Sequence, residues 1–323
     1  MFDRIAMAAM LALAIAAAAA APTVRAQSAD DWKPERAVTV IIPFTAGGAS
    51  DLVIRAIQND LARLYGNSIV VKNVVGAGGS IGVTEFVRAK ADGLTVLAST
   101  PGPTLYQPNL RPVGYSMDSM ISVCQLYSEP VMLMARPDAP YNSVKELAAA
   151  AKAQPGRITM ATTGIGGVAY VAIAEWEGQL GAKFLNVPYK GSMDAINGLR
   201  VGDAQYFPDQ INLVKQYNMK PIAVMGEERT SDFPDVPTFK EQGWDIMAPI
   251  HLGLFLQAGT PAHIVARLER SCRQTLESPD SRAAMQRMAV PPRFLDSKAY
   301  DAFNRAYFAR VAKVVKDNNI KAE

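Results

Sequence analysis

The sequence predicts an α/β protein of about two domains with mostly parallel strands. Three observations carry this. Short β-branched apolar runs alternate with stretches of helical periodicity along the chain. Glycine-rich turns sit between such a run and such a stretch at three places. The length of 323 residues suits about two domains, with roughly 295 residues left once a leader is removed.

Residues 1–26 read as a secretory leader. Arg4 supplies a positive charge, and an alanine-rich apolar stretch runs from Ile5 to Pro22. Val24-Arg25-Ala26 places small residues at the minus-three and minus-one positions of a cut before Gln27. The alternative is a membrane anchor, but alanine is a weak membrane residue and no later stretch has the length and apolarity to span a bilayer. The mature chain is therefore expected to be exported to the periplasm.

Apolar runs rich in β-branched residues predict strands at 38–43, 68–73, 94–99, 121–127, 131–135 and 158–162, then at 184–188, 204–207, 221–224 and 252–256. Helical periodicity predicts helices at 50–65, 80–89, 143–153, 167–180, 192–200, 211–216, 236–242, 264–277, 278–288 and 297–318. Ser143 with Glu146 forms a capping-box start, and Leu295-Asp296-Ser297 opens the last long helix similarly. Asp92-Gly93 and Pro155-Gly156 mark turns.

The first glycine turn is Pro43-Phe44-Thr45-Ala46-Gly47-Gly48-Ala49-Ser50-Asp51. The first amide groups of a helix lack intrahelical acceptors, and the macrodipole adds partial positive charge there. Glycines let a ligand approach the backbone closely, so this segment suits a carboxylate or a phosphate. Thr163-Gly164-Ile165-Gly166-Gly167-Val168 repeats the same logic in mid-chain, and Gly76-Ala77-Gly78-Gly79-Ser80-Ile81-Gly82 forms a third turn. Two such helix ends on opposed domains would clamp one anion.

Composition and motifs narrow the functional classes. At 49% hydrophobic, 20% charged and net charge +3, the chain is ordinary and globular, with no basic stripe for nucleic acid. Two Cys and two His far apart match no zinc spacing, so neither a metal nor a cofactor is expected. Cys124 and Cys272 leave two states open, a disulfide or two buried free thiols. None of the turns ends in the Gly-Lys-Ser/Thr of a P-loop. Gly164-x-Gly166-x-x-Ala169 is a relaxed dinucleotide fingerprint, but no acidic residue ends the following strand to hold a ribose. Ser50 lacks a Gly-x-Ser-x-Gly context. His263 reads as a solvated histidine at a helix start, and His251, ahead of an apolar strand, reads as a buried residue or pocket wall. Asp51 is readable as a catalytic carboxylate, though its milder role is to favour the first turn of its helix. No catalytic residue is assigned.

Together these segments resemble the Bug-type periplasmic receptors of the tripartite tricarboxylate transporter family. Further marks are Ala91-Asp92-Gly93, Val187-Pro188-Tyr189-Lys190-Gly191-Ser192, Asp235-Val236-Pro237-Thr238, Ala258-Gly259-Thr260-Pro261 and the tail Val314-Val315-Lys316-Asp317-Asn318-Asn319-Ile320-Lys321. The resemblance spans almost all of the mature chain, and the order and spacing of the marks make it specific. It implies a periplasmic-binding-protein-like fold of two domains joined by crossing strands, residues 33–128 plus 246–323 and residues 129–245, with the ligand in the cleft. It also implies that Phe44, Thr45, Ala46, Gly47, Gly48, Ala49, Ser50 and Asp51 face Thr163, Gly164, Ile165, Gly166, Gly167 and Val168 across a ligand carboxylate. Asp209, in a stretch about two residues shorter than the family pattern, falls where a selectivity residue is expected, and His251 stands where the family often has tryptophan.

The expected partners are a small organic carboxylate and the membrane subunits of a tripartite tricarboxylate transporter, with the receptor itself a monomer. An exported hydrolase of a small carboxylate ester and a ligand sensor feeding a signalling system are the alternatives. Val168-Ala169-Tyr170 stands where the family's mid-chain turn usually continues with serine and often histidine. An unpaired polar group costs about 1–3 kcal/mol, so this more apolar cleft favours a carboxylate with an aromatic or aliphatic body.

Overall fold

A computed structural model describes residues 32–164, 167–189, 191–288 and 290–320. The leader and the candidate site residues Ile165 and Gly166 lie outside the described residues. The strands are β1 (Val38–Ile42), β2 (Ile69–Asn73), β3 (Thr95–Ser99), β4 (Met120–Ala135), β5 (Thr159–Thr162), β6 (Leu185–Pro188), β7 (Tyr206–Gln210), β8 (Lys220–Met225) and β9 (Pro249–Gln257). The α-helices are α1 (Ala49–Tyr65), α2 (Ser80–Arg88), α3 (Gln107–Leu110), α4 (Val144–Ala153) and α5 (Val168–Leu180). They continue with α6 (Ser192–Val201), α7 (Asn212–Tyr217), α8 (Ala262–Glu277), α9 (Pro279–Arg287) and α10 (Ser297–Asp317). Among the described residues no helix is long and apolar enough to cross a membrane.

β4 organises the molecule. Its first part pairs with β9 in one sheet, in the order β2-β1-β3-β9-β4. Its last residues, Val131 to Ala135, lie between β7 and β8 in a second sheet, completed by β5 and β6. β1 to β4 run one way in the first sheet, with β9 alone against them. β5 to β8 run one way in the second, with β4 alone against them. Each sheet is thus mostly parallel, and the contrary strand of the second, β4, is the strand that crosses between them.

The expected strands 121–127 and 131–135 are one strand. Pro130, which reads as a break, sits at the crossing and faces Pro249 on β9. Neither ring has an N–H, which suits a point where the strand leaves one sheet for the other.

Alternation along the strands distributes the cores. Val38, Val40 and Leu254 pack beneath α1 and α8 through Val53, Ile57 and Leu268. Ile41, Leu97 and Phe255 face the other way, onto Val83, Phe86 and Tyr300. In the second sheet, Leu133 and Met160 meet Leu147 and Trp176, whereas Met132 and Met134 meet Ile196, Leu199 and Val214. Cys124 on β4 and Cys272 on α8 form a disulfide with Cα atoms 6.7 Å apart, which removes the free-thiol alternative. α10 also spans both halves. Its Ser297 hydroxyl donates to Ser122 O of β4, and its Arg310 pairs with Glu175 of α5 at 2.9 Å.

Two local expectations need correction. Residues 236–242 do not form a helix; only Lys240–Gln242 makes a 3-10 turn. Val224 N donates to Pro237 O and Phe239 N to Val224 O, so the segment runs along β8. Thr238 and Glu241 hold the turn reciprocally, and Gly243 at φ +106 ends it. Conversely, Gly102–Tyr106 forms a π-helical turn that leads into α3. Pro101-Gly102-Pro103 discourages a helix in sequence, yet prolines in a first turn remove only N–H groups that have no acceptor there.

Candidate functional site

The strand directions place the site. β1 and β3 run with β4, so their carboxyl ends point toward the crossing. β5 to β8 run against β4, so their carboxyl ends point back to the same place. Gln210 and Met225, the last residues of β7 and β8, both pair with Val131, next to Pro130. Ligands of α/β sheets lie outside the carboxyl ends of strands. Here two sheets turn those ends toward one crevice. The glycine turns after β1 and β5 follow two of those carboxyl ends.

The two turns share their N-cap conformation and their closing hydrogen bond. Gly47, just before the first N-cap, is left-handed at φ +80, and Gly164, three residues before the second, at φ +101. Gly48 and Gly167 are the helix N-caps, at φ −73, ψ 166 and φ −74, ψ 165. Each N-cap amide closes a tight turn, Gly48 N onto Thr45 O at 3.2 Å and Gly167 N onto Gly164 O at 3.4 Å. Neither helix receives a side-chain cap. α6, which starts after β6, is likewise capped only by glycine, Gly191. In contrast α4 and α10, which start away from the crossing, are capped by Ser143 and Asp296. A glycine cap leaves the first-turn N–H groups available to an external acceptor, whereas serine or aspartate consumes one.

Within the first turn, Thr45, Ala46, Gly47 and Ala49 are exposed, Phe44 and Gly48 partly so, and Ser50 and Asp51 are buried. Asp51 does not present its carboxylate. Its oxygens accept from Gly47 N at 2.8 Å, Arg55 Nε at 2.9 Å and Asn73 Nδ2 at 3.1 Å. Burial pushes its pKa up, but the bonds from Arg55, Gly47 and Asn73 outweigh that and hold the carboxyl below its usual range. Asn73 Nδ2 also reaches Phe44 O, so Asp51 and Asn73 together fix the loop. On the other side Thr163 is exposed, and Gly164, Gly167 and Val168 are partly so.

The third glycine turn serves packing. Gly76, Ala77, Gly78 and Gly79 all have positive φ, and a Cβ on Gly79 would meet Pro103 at 2.4 Å and Pro43 at 3.2 Å. It buttresses the first turn from behind.

Asp209 lies near the carboxyl end of β7 opposite Met132 and is buried. It accepts from Ser192 Oγ at 2.5 Å and from Gln210 N at 2.8 Å. Burial raises its pKa against those two bonds. His251 pairs with Ser128 and is 1% exposed, its ring against Tyr300 and Phe303. Burial pushes its pKa down to about 3, so the imidazole is neutral. His263 is partly exposed in the first turn of α8.

Sequence reasoning passed over Glu129 and Tyr127. Glu129 stands beside Pro130 at the crossing, with a buried Oε1 that has no hydrogen-bond partner. Burial pushes its carboxyl up to about 8, and Asp209 and Asp232 add to the shift. The buried Tyr127 hydroxyl is also unpartnered. The only signal was an acidic residue between two apolar runs. Among the described residues no group of three or more His, Cys, Asp or Glu is placed to hold a metal ion.

Comparison with known proteins matches residues 53–320 to the family described as "Tripartite tricarboxylate transporter family receptor". Protein BugT of Bordetella pertussis is 29% identical over 259 residues, 78% of this chain and 79% of BugT. The periplasmic binding protein BugD superposes with a TM-score of 0.75 at 29% identity, over 90% of this chain and 100% of BugD. MatC of Rhodopseudomonas palustris, solved with malate bound, gives a TM-score of 0.74 at 28% identity, over 87% of this chain and 99% of MatC.

Proposed function

The chain belongs to the tripartite tricarboxylate transporter receptor family, and from that premise we propose that it holds a small organic carboxylate between its two glycine turns and hands it to the membrane subunits of such a transporter. The carrying observation is the pair of glycine-capped helix ends, α1 and α5, which carry no side-chain cap and follow strands whose carboxyl ends point toward the crossing. A ligand carboxylate takes the amides of Ala49 and Ser50 on one side and those of the loop from Thr163 to Val168 on the other. Charge-assisted bonds of this kind contribute about 1.5–3 kcal/mol each. Asp51 holds the first loop in shape, and Asp209 and His251 line the crevice floor. In this reading residues 33–128 plus 246–323 form one domain and residues 129–245 the other. Sheet membership, with β4 crossing and β9 beside it in the first sheet, supports that division.

The receptor acts in the periplasm as a monomer, with residues 1–26 removed on export. The Cys124–Cys272 disulfide suits that oxidising compartment. The malate held by MatC supports a carboxylate ligand. The apolar Val168-Ala169-Tyr170 entry favours one with an aliphatic or aromatic body, and no catalytic step is assigned.

Thermal unfolding against a carboxylate library tests the reading. A true ligand at 100 times its dissociation constant adds about 2.7 kcal/mol of stability. A library in which no carboxylate raises the melting temperature would refute it.

A further inference from the structure

Resting on that reading, we propose that Arg310 is a positioning residue for ligand capture: it reaches from α10 to α5 and sets where the second glycine turn stands relative to the first. α10 is anchored on the first sheet. Its Asn304 Nδ2 donates to Ser122 Oγ of β4 at 3.0 Å, and its Tyr300 packs among Ile41, Leu97 and Phe255. Further along, the Tyr307 hydroxyl meets that of Tyr106 at 2.6 Å. The helix is therefore already fixed where it presents Arg310. α5 belongs to the other sheet: it follows β5, and its Trp176 packs with Leu133 and Met160.

Arg310 joins the two. Its Nη2 lies 2.9 Å from Glu175 Oε1 of α5 and donates to Asp245 O at 2.7 Å. Gln179 of α5 donates to the same carbonyl at 3.0 Å. One guanidinium thus gathers α5 and the segment that leads into β9. The contact is shielded, with the side chains of Arg310 and Glu175 only 25% and 14% exposed. Val171 and Ala174 of α5 cluster beside it with Val311 and Val314 of α10. At Gly178 the helices approach so closely that a Cβ would clash with Asn318 Oδ1. These positions recur every three or four residues, so one stripe of each helix makes the contact.

Apolar stripes alone are non-directional. A guanidinium that serves a carboxylate and a carbonyl together has a defined geometry and fixes the register of the two helices. About two helical turns separate Glu175 from the Gly167 cap, and over that length α5 moves as a rod. A shift at Glu175 is carried to the first-turn amides, whose bonds to a ligand weaken steeply with misalignment.

The test is titration calorimetry and thermal unfolding of the full mature chain with malate, succinate, adipate, benzoate and 3-phenylpropanoate as probes. Arg310→Met should weaken every probe that the wild type binds by about tenfold, the equivalent of roughly one hydrogen bond to the ligand. Burial already pushes the Glu175 carboxyl up, so in that variant it takes a proton instead of staying an unpaired charge. The double variant Arg310→Met/Glu175→Met separates position from stability. An apolar pair often replaces a buried ion pair without loss of stability. Its melting temperature should therefore return to that of the wild type while its affinity stays about tenfold down. Unchanged affinity in Arg310→Met, or affinity that recovers with the melting temperature in the double variant, would overturn the inference and leave the receptor reading standing. Absence of wild-type binding to every probe would overturn both. If Arg310→Met does not fold, the double variant decides by its affinity: a wild-type value overturns the inference.

Discussion

Gly48 and Gly167, 119 positions apart in a chain without a short repeat, hold the same backbone conformation to within a degree or so, φ −73, ψ 166 against φ −74, ψ 165. Each begins a helix that no side chain caps, and each donates its N–H to the carbonyl three residues back, Gly48 to Thr45 and Gly167 to Gly164. At an N-cap, glycine costs only a few tenths of a kcal/mol relative to serine or aspartate. The helix ends are therefore left open at little expense in stability.

That equivalence predicts the behaviour of Gly167→Ser. A Cβ there meets Thr163 Oγ1 at 3.4 Å, Gly164 O at 3.5 Å and Thr163 O at 3.9 Å, all ordinary contacts. The serine hydroxyl would cap α5 and occupy an amide meant for the ligand. Melting temperature should hold or rise slightly, while carboxylate affinity falls about tenfold, since one charge-assisted bond is worth about 1.5–3 kcal/mol. Calorimetry beside thermal unfolding reads both. Unchanged affinity would mean the α5 amides do not touch the ligand.

Asp51→Ala should act through the loop. It strips Gly47 N, Arg55 and Asn73 of their shared acceptor in a buried site. Urea unfolding should show a loss of about 1–3 kcal/mol. Ligand affinity should drop as well, although the carboxylate touches no ligand. Full affinity with the loop's acceptor gone would show that the turn needs no such support.

The disulfide closes a long stretch of chain, with a sequence separation of 148. Loop-closure entropy for a span of that size corresponds to about 3–5 kcal/mol. The double variant Cys124→Ala/Cys272→Ala should lose stability on that order and should match the reduced wild type. Denaturant midpoints before and after reduction check this. A midpoint indifferent to reductant would contradict it.

Stability should also depend on pH through two buried groups of opposite sense. His251 has its folded pKa depressed to about 3, so the unfolded chain binds a proton first. Its contribution is present above about 6.5 and declines as pH falls, by about 1.4 kcal/mol per unit. Glu129 has its folded pKa raised to about 8, so the folded chain keeps a proton that the unfolded chain gives up. That contribution is present below the ordinary glutamate range and is lost as pH rises toward 8. His251→Phe should flatten the acid limb of the melting-temperature profile, and Glu129→Gln the alkaline limb. Parallel profiles for variants and wild type would rule out both assignments.

Much of the fold was legible because periodicity is local. Strand Val38–Ile42 and helix Ala49–Tyr65 agree with their sequence patterns to within a residue. The helical turn from Gly102 was hidden by its prolines, and the continuity of β4 by Pro130. In each case a local breaker is tolerated because it falls where no N–H is needed. The false helix at 236–242 had the right periodicity, but Val224 competes for its backbone. The two glycine turns were legible as helix starts from the order of strand, glycines and helical pattern. Glu129 was not, because its significance depends on β7 and β8 arriving beside it, some eighty to a hundred residues downstream. The Cys124–Cys272 bond is equally non-local.

The rung formed by Pro130 and Pro249 has a mechanical consequence. Each pyrrolidine ring locks one backbone torsion at about −65°. β4, which ties the sheets together, and its neighbour β9 therefore carry a stiff segment at the same level, like two rods with a common splint. Any rotation that narrows the crevice must be absorbed on either side of that splint, in residues such as Ser128 and Ile250, which keep both torsions free. The backbone around Glu129, one residue before the splint, thus keeps its path whatever the two sheets do on either side.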